Sequence, residues 1–189
     1  MNRHLKRVKD EISLHFKDYA EFLNEGDSVV DIGIGAGFTA QYIKVNVKRV
    51  NIQGIDIYNS LQTPVKLTLY DGQKIPFPNK CFDVSLLFYT LHHSENPPLL
   101  LSEAARITKR CILVIESIGK ESVQDIQKDT EVLLALGLPP ESHHHHNLTQ
   151  YKLLKYFKKF GLNIVKTKKL YTKSTKSTSK HLYVLQFEK

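Results

Sequence analysis

Val29-Val30-Asp31-Ile32-Gly33-Ile34-Gly35-Ala36-Gly37 is the stretch on which the fold turns. A β-branched run ends in a carboxylate, three glycines alternate with small residues, and a periodic segment follows. This predicts a buried strand stopping at Asp31, a tight turn, and a helix beginning near Phe38. Closely spaced glycines let the backbone adopt positive φ and let a ligand lie against bare main chain. In open α/β sheets, such a turn at the mouth of a strand binds nucleotide-like ligands.

The spacing narrows the ligand. The dinucleotide fingerprint is G-x-G-x-x-G and a P-loop requires Gly-Lys-Ser/Thr. Here the pattern is G-x-G-x-G, Phe38 stands where a third dinucleotide glycine would be, and no Lys or Arg lies between Gly33 and Gln41. Asp31 would repel a phosphate. A carboxylate beside bare amides suits a ligand with a cationic or zwitterionic end. The stretch resembles the first motif, [D/E]-x-G-x-G-x-G, of the class I S-adenosylmethionine-dependent methyltransferases.

Later segments extend the resemblance. Val50 to Asp56 reads as a second strand ending in an acid about twenty residues after the glycine turn, an offset at which a carboxylate accepts ribose hydroxyls. An Asp after a strand can also cap a helix. Val65 to Tyr70 alternates as a third strand and runs into Asp71-Gly72-Gln73-Lys74-Ile75-Pro76-Phe77. That run resembles the "D-A-x-x-L-P-F" segment of the small quinone-biosynthesis (type 11) methyltransferases, although Asp71-Gly72 alone would also make a β-turn. Phe82 to Tyr89 is apolar enough for a central strand, and Thr90-Leu91-His92-His93 follows it, as in the family's "L-H-H" pattern.

The resemblance spans about Val29 to Glu116. It implies a Rossmann-like, doubly wound α/β fold with seven strands in the order 3-2-1-4-5-7-6, strand 7 antiparallel. It also implies S-adenosylmethionine as cofactor, bound by Asp31, Gly33, Gly35, Gly37, Asp56, Asp71 and Gly72, with Phe88 and Tyr89 nearby. Asp71 and the Gly72 amide would read the adenine edge. The expected reaction is in-line methyl transfer to a small-molecule acceptor, in which alignment matters most. A base is needed only if the nucleophile must lose a proton. His92 and His93 are the catalytic candidates, with Tyr89 and Glu116 at the same sheet edge.

One domain over residues 1–189 is expected, with an N-terminal helix in 1–26, a cofactor-binding half in 27–118 and a substrate-side half in 119–189. Residues 4–24 place Leu5, Val8, Ile12, Phe16, Tyr19 and Leu23 on one helical face. That face would cover the cleft, as in the resembled family, or pack on the sheet. Asn96-Pro97-Pro98 opens a helix to about 107, strand five is expected over Cys111–Glu116, and a helix over 120–137 ending at Gly137. Asn147 with Gln150 forms a candidate capping box for a helix stopped by Gly161, with Leu153, Tyr156, Phe157 and Phe160 inward. Asn163–Tyr171 and His181–Phe187 are the last strands, joined by a loop over Thr172–Lys180.

Composition fits a cytoplasmic globular protein: 41% hydrophobic, 24% charged, no window near the ~18 apolar residues of a membrane span, and no signal-peptide core. Cys81 and Cys111 lack metal spacing, and consecutive imidazoles such as His143–His146 diverge, so no metal site is expected. Charge is uneven. Residues 151–189 hold eleven Lys and one acid, net +10, whereas residues 1–150 are net −2. A basic region can be the electrostatic footprint of an RNA or an anionic membrane, yet all five Arg lie before residue 151, and Arg is the residue suited to bidentate phosphate contact. Two further function classes therefore stand beside the small-molecule enzyme: an RNA- or protein-directed methyltransferase, and a non-catalytic cofactor-binding or partner subunit. Oligomeric state and the acceptor atom are not encoded in these motifs.

Overall fold

The computed structural model describes residues 3–60, 62–119, 122–135, 147–171 and 178–187. Seven strands, β1 (Ser28–Ile32), β2 (Asn51–Asp56), β3 (Lys66–Leu69), β4 (Phe82–Phe88), β5 (Thr108–Ile118), β6 (Leu162–Lys169) and β7 (Ser179–Phe187), form one sheet. Its order is β3-β2-β1-β4-β5-β7-β6. β7 runs antiparallel to both β5 and β6, and the other pairs are parallel. The expected topology is therefore the observed one. Helices α1 (Arg3–Tyr19), α2 (Phe38–Asn46), α3 (Pro97–Ile107), α4 (Val123–Ala135) and α5 (Gln150–Lys159) complete the described elements.

Period-two alternation along the central strands builds two cores. Val30, Ile32, Leu87, Ile112, Val114, Tyr183 and Leu185 face α3 and α5, where Leu101, Ala104, Leu153 and Phe157 close the layer. Val29, Val84, Leu86, Leu113, Leu182 and Val184 face the opposite layer of Tyr19, Leu23, Ala40 and Ile43. Asp31 alternates with Val29, so its carboxylate falls on the α1–α2 side. β1 sits between β2 and β4, where the winding direction reverses, and this opens a crevice at the strand C-termini.

Local chemistry fixes the helix ends. Asn96 Oδ1 accepts the Leu99 N–H at 3.1 Å, with prolines in the first turn of α3. For α5 the expected Asn147 cap is corrected: Thr149 Oγ1 accepts the Lys152 N–H at 3.2 Å. Leu148 and Leu153, which flank that cap, are both buried in one cluster, the staple arrangement that sets the entry angle of the chain. The N-terminal helix stops at Tyr19 and tightens into a 3-10 turn, Ala20–Phe22, instead of running to residue 24. β5 begins at Thr108, three residues earlier than expected, because the hydrogen-bonded pairing with β4 reaches back to Phe82 across a register shift. Lys180 belongs to β7, paired with Ser117, and not to the preceding loop. The expected stop at Gly137, Pro139-Pro140, and the His143–His146 run lie outside the described residues.

Gly54 in β2 lets the glycine turn pack down. A Cβ there would lie 2.1 Å from Ile34 Cδ1 and 2.6 Å from Ile34 Cβ. Gly54→Ala should lower unfolding free energy by about 1–3 kcal/mol through this overlap, read as a shift in the urea midpoint at unchanged slope.

Candidate functional site

The glycine turn is held on three sides. Gly33 and Ile34 donate their N–H groups to Ile55 O at 2.9 and 3.1 Å, continuing the β1–β2 ladder. Gly35 N–H donates to Asp56 Oδ2 at 2.9 Å. Gly37, in the left-handed region at φ 78°, is the N-cap of α2. Gly33 is at φ 71°, and a Cβ there would meet Thr90 Cγ2 at 2.4 Å. Thr90 reaches that position because its Oγ1 donates to the Ile32 and Phe88 carbonyls.

Glu116 organises the loop after β4. It is completely buried, and its Oε1 accepts the Thr90 and Leu91 N–H groups at 2.9 and 2.7 Å. Its Oε2 lies 2.5 Å from His92 Nδ1. His92 and His93 pack ring on ring at 3.8 Å. Tyr89, at φ 57°, hydrogen-bonds through its N–H to Ile115 O at 2.7 Å. Burial, with Glu11 and Glu116 nearby, raises its hydroxyl far above the ordinary tyrosine value.

These loops and α1 enclose a cavity of about 240 Å³. Of the sequence-predicted residues, Asp31, Gly33, Phe88, Tyr89, His92 and His93 line it. Gly35, Gly37, Asp56, Asp71 and Gly72 are not among its lining residues; they lie at and just beyond the C-terminal ends of β1, β2 and β3. Asp56 Oδ1 accepts the Ile57 and Tyr58 N–H groups, leaving Oδ2 with the Gly35 bond alone among the described residues. Burial raises the Asp56 pKa, and the bonds from Gly35, Tyr58 and Ile57 counteract it. Asp71 is exposed, and the Gln73 and Lys74 N–H groups on its Oδ1 lower its pKa. The Cβ position of Gly72 is 3.6 Å from Ile57 Cγ2, so the turn after β3 abuts the end of β2. Ile75 and Phe77 are anchored instead on α3, where Arg106 donates to both their carbonyls.

Polar cavity residues that escaped the sequence reading as site residues include Glu11, His15 and Tyr19 on α1, Thr39 on α2, Ser117 on β5 and Lys180 on β7. Lys180 Nζ lies 2.5 Å from Glu11 Oε2 and 4.8 Å from the centre of the Tyr89 ring. Tyr19 of α1 and Leu23 just beyond the 3-10 turn enter the core, as the core-packing alternative expects, while Val8 and Ile12 of α1 line the cavity. Leu5 lies outside the residues whose side chains are described. Glu11, His15 and Asp18 recur at helical spacing beside the apolar stripe, a signal that this face meets more than core. Nothing in the sequence distinguishes Lys180 from the lysines around it.

The matched family is that of the methyltransferase domain, whose model covers residues 1–167, and the chain belongs to it. Its cofactor is S-adenosylmethionine. Over 86 residues the chain is 28% identical to the uncharacterized protein MJ1123 of Methanocaldococcus jannaschii, a match spanning 43% of this chain and 39% of that protein. The fold resembles a chain in the complex of the Haloferax volcanii Trm112 methyltransferase activator with a protein described as a methyltransferase. That similarity has a TM-score of 0.71, 14% identity, and coverage of 97% and 93% of the two chains. A SAM-dependent methyltransferase from Aquifex aeolicus aligns at TM-score 0.65 and 20% identity, covering 98% of this chain and all of that one. The residues present fit the cofactor: nothing lies within 4 Å of the Cβ position of Gly35, so main chain of the turn is left bare for a ligand, and the buried Asp31 carboxylate stands where other nucleotide turns carry phosphate-binding cations.

Among the described residues no helix is long and apolar enough to cross a membrane. Cys111 is buried, and burial pushes its thiol up to about 11.

Asp31 is 3% exposed, and burial, with Asp56 nearby, pushes its carboxyl up to about 7. Between the ordinary carboxylate value and that one, the native state holds a proton that the unfolded chain has lost. Stability therefore falls as pH rises across this window and levels off above about 7. Asp31→Asn should consequently raise unfolding free energy at pH 8 by a few kcal/mol (~1.4 kcal/mol per pKa unit). The gain should shrink towards pH 4, as measured by urea denaturation across the range.

Proposed function

We propose that the protein transfers a methyl group from S-adenosylmethionine to a small-molecule acceptor. The observation that carries this reading is the cavity between α1 and the strand ends, which runs from Asp31 at the glycine turn to Glu11 and His15 of α1 and Lys180 of β7. A space of about 240 Å³ bounded by helix and sheet suits a compact organic molecule better than a polymer chain.

In this reading residues 27–118 carry the cofactor, and residues 1–26 with 119–189 shape the acceptor end. Bound S-adenosylmethionine supplies a methyl carbon on a positively charged sulfur, already a good leaving group. Asp31 faces its cationic end, and the glycine turn lets the ligand approach the backbone. Asp56 keeps lone-pair capacity on Oδ2 for a ribose hydroxyl. Asp71 and the Gly72 amide meet the adenine edge against Ile57. Phe88 and Tyr89 wall the reacting region, and His92, oriented by Glu116, stands beside His93 at the acceptor.

The lysine-rich end supports the small-molecule acceptor over RNA. Lys166 pairs with Glu21 and also donates to the Asp18 carbonyl. Lys168 Nζ lies 2.5 Å from Asp18 Oδ1, and Lys180 pairs with Glu11. These cations hold the N-terminal helical segment on β6 and β7, so part of the basic footprint is neutralised within the chain.

Calorimetry should give saturable binding of S-adenosylmethionine and of its demethylated product, with no competition from NAD or ATP. Asp56→Ala should weaken the donor by roughly 1–3 kcal/mol, about 5- to 150-fold. A gel-retardation assay with bulk RNA at ~0.15 M salt should show no shift, and a shift would return the RNA-directed reading. Saturation by NAD or ATP in place of the donor would overturn the methyltransferase reading. Labelled methyl transfer into a small-molecule extract separates an enzyme from a non-catalytic binder.

A further inference from the structure

His15 is 4% exposed, lines the cavity, and has no hydrogen-bond partner for Nε2 among the described residues. An orphaned polar nitrogen in a buried position carries a desolvation cost that native structures seldom leave uncompensated. On the other side of the ring, Nδ1 lies 3.5 Å from Asp18 Oδ2. Asp18 is itself fixed by Lys168 at 2.5 Å. A carboxylate behind Nδ1 selects the tautomer with the proton on that nitrogen, which leaves a lone pair on Nε2.

The surrounding charges are paired off. On α1, Glu11 is joined to Lys180 of β7, and Asp18 to Lys168 of β6. Tyr19 of α1 is buried against Phe88 at the same wall, and the Tyr89 ring lies under the Lys180 ammonium. Burial, then Lys180, lowers the His15 pKa against the opposing pull of Asp18 and Glu11. The imidazole is therefore neutral near pH 7. His92 differs, because its Nδ1 is bound to a completely buried carboxylate and its ring lies tilted against that of His93.

We infer that His15 is the base of the acceptor subsite, its Nε2 accepting the proton of a neutral hydroxyl or uncharged amine that becomes methylated. This rests on the methyl-transfer reading above. In the step, the acceptor oxygen or nitrogen forms a bond to the methyl carbon and the carbon–sulfur bond breaks. Its electron pair stays on sulfur, which becomes a neutral thioether, and the acceptor proton passes to Nε2. Asp18 is a positioning residue that holds the ring and stabilises the imidazolium formed.

The test uses full-length protein with ¹⁵N-labelled histidine, loaded with S-adenosylhomocysteine at about pH 8. Phenol serves as the neutral O–H probe and aniline as the neutral N–H probe. One of them should move the His15 Nε2 resonance in the direction of hydrogen bonding. His15→Gln should weaken that probe by about tenfold while leaving S-adenosylhomocysteine affinity within about twofold. Asp18→Asn, which keeps the imidazole, should lower the His15 titration midpoint further and serves if His15→Gln does not fold. The inference is overturned if neither probe moves the resonance, or if both bind equally to wild type and His15→Gln, while S-adenosylhomocysteine binding is intact. Failure of S-adenosylhomocysteine to bind wild-type protein overturns the methyl-transfer reading itself, and this inference with it.

Discussion

Two missing side-chain carbons bring the site together. The turn after β1 can descend onto β2 only because Gly54 leaves room for Ile34, and the loop after β4 can reach that turn only because Gly33 leaves room for Thr90. Thr90 is itself held by Glu116, by the end of β1 and by the last carbonyl of β4. Two loops from neighbouring parallel strands therefore meet at van der Waals distance, with Asp31 between them on the α1 side. Glycine is used here for close approach as much as for its backbone freedom.

A second constraint is electrostatic. α1 belongs to the layer opposite α3 and α5, and two of its acidic residues, Glu11 and Asp18, meet lysines of β7 and β6, which come from the far end of the chain. Glu11 meets Lys180, Asp18 meets Lys168, and the turn residue Glu21 meets Lys166. Exposed ion pairs contribute little individually. The Glu11–Lys180 pair differs, since the Lys180 side chain is 8% exposed, and its geometry helps to shape the cavity. The basic composition of the C-terminal region thus has a structural role besides any effect on partners.

The central strands and the glycine turn were legible in the sequence because their signals are local, whereas the order of the strands came with the family resemblance those motifs carry. A β-branched run, glycines at fixed spacing and an acid at the end of the next strand each report a backbone requirement within a few residues. Element ends were less legible. Thr149, not Asn147, caps α5, because the competition between neighbouring polar residues is decided by where Leu148 and Leu153 must be buried. The early start of β5 depends on pairing with Phe82, more than twenty residues away, and no local pattern reports it.

By itself the sequence determined the glycine turn, the strands that flank it and the motifs that carry the family resemblance, and with that resemblance the doubly wound topology, since backbone freedom, hydrophobic periodicity and charge sign act at short range. Tertiary structure alone decided what lines the cavity beside the glycine turn. His15, Glu11 and Lys180 come from opposite ends of the chain, and each is unremarkable among its neighbours. Only the folding of α1 across the strand ends brings them around one cavity, where burial sets that histidine and that lysine apart from the exposed ones.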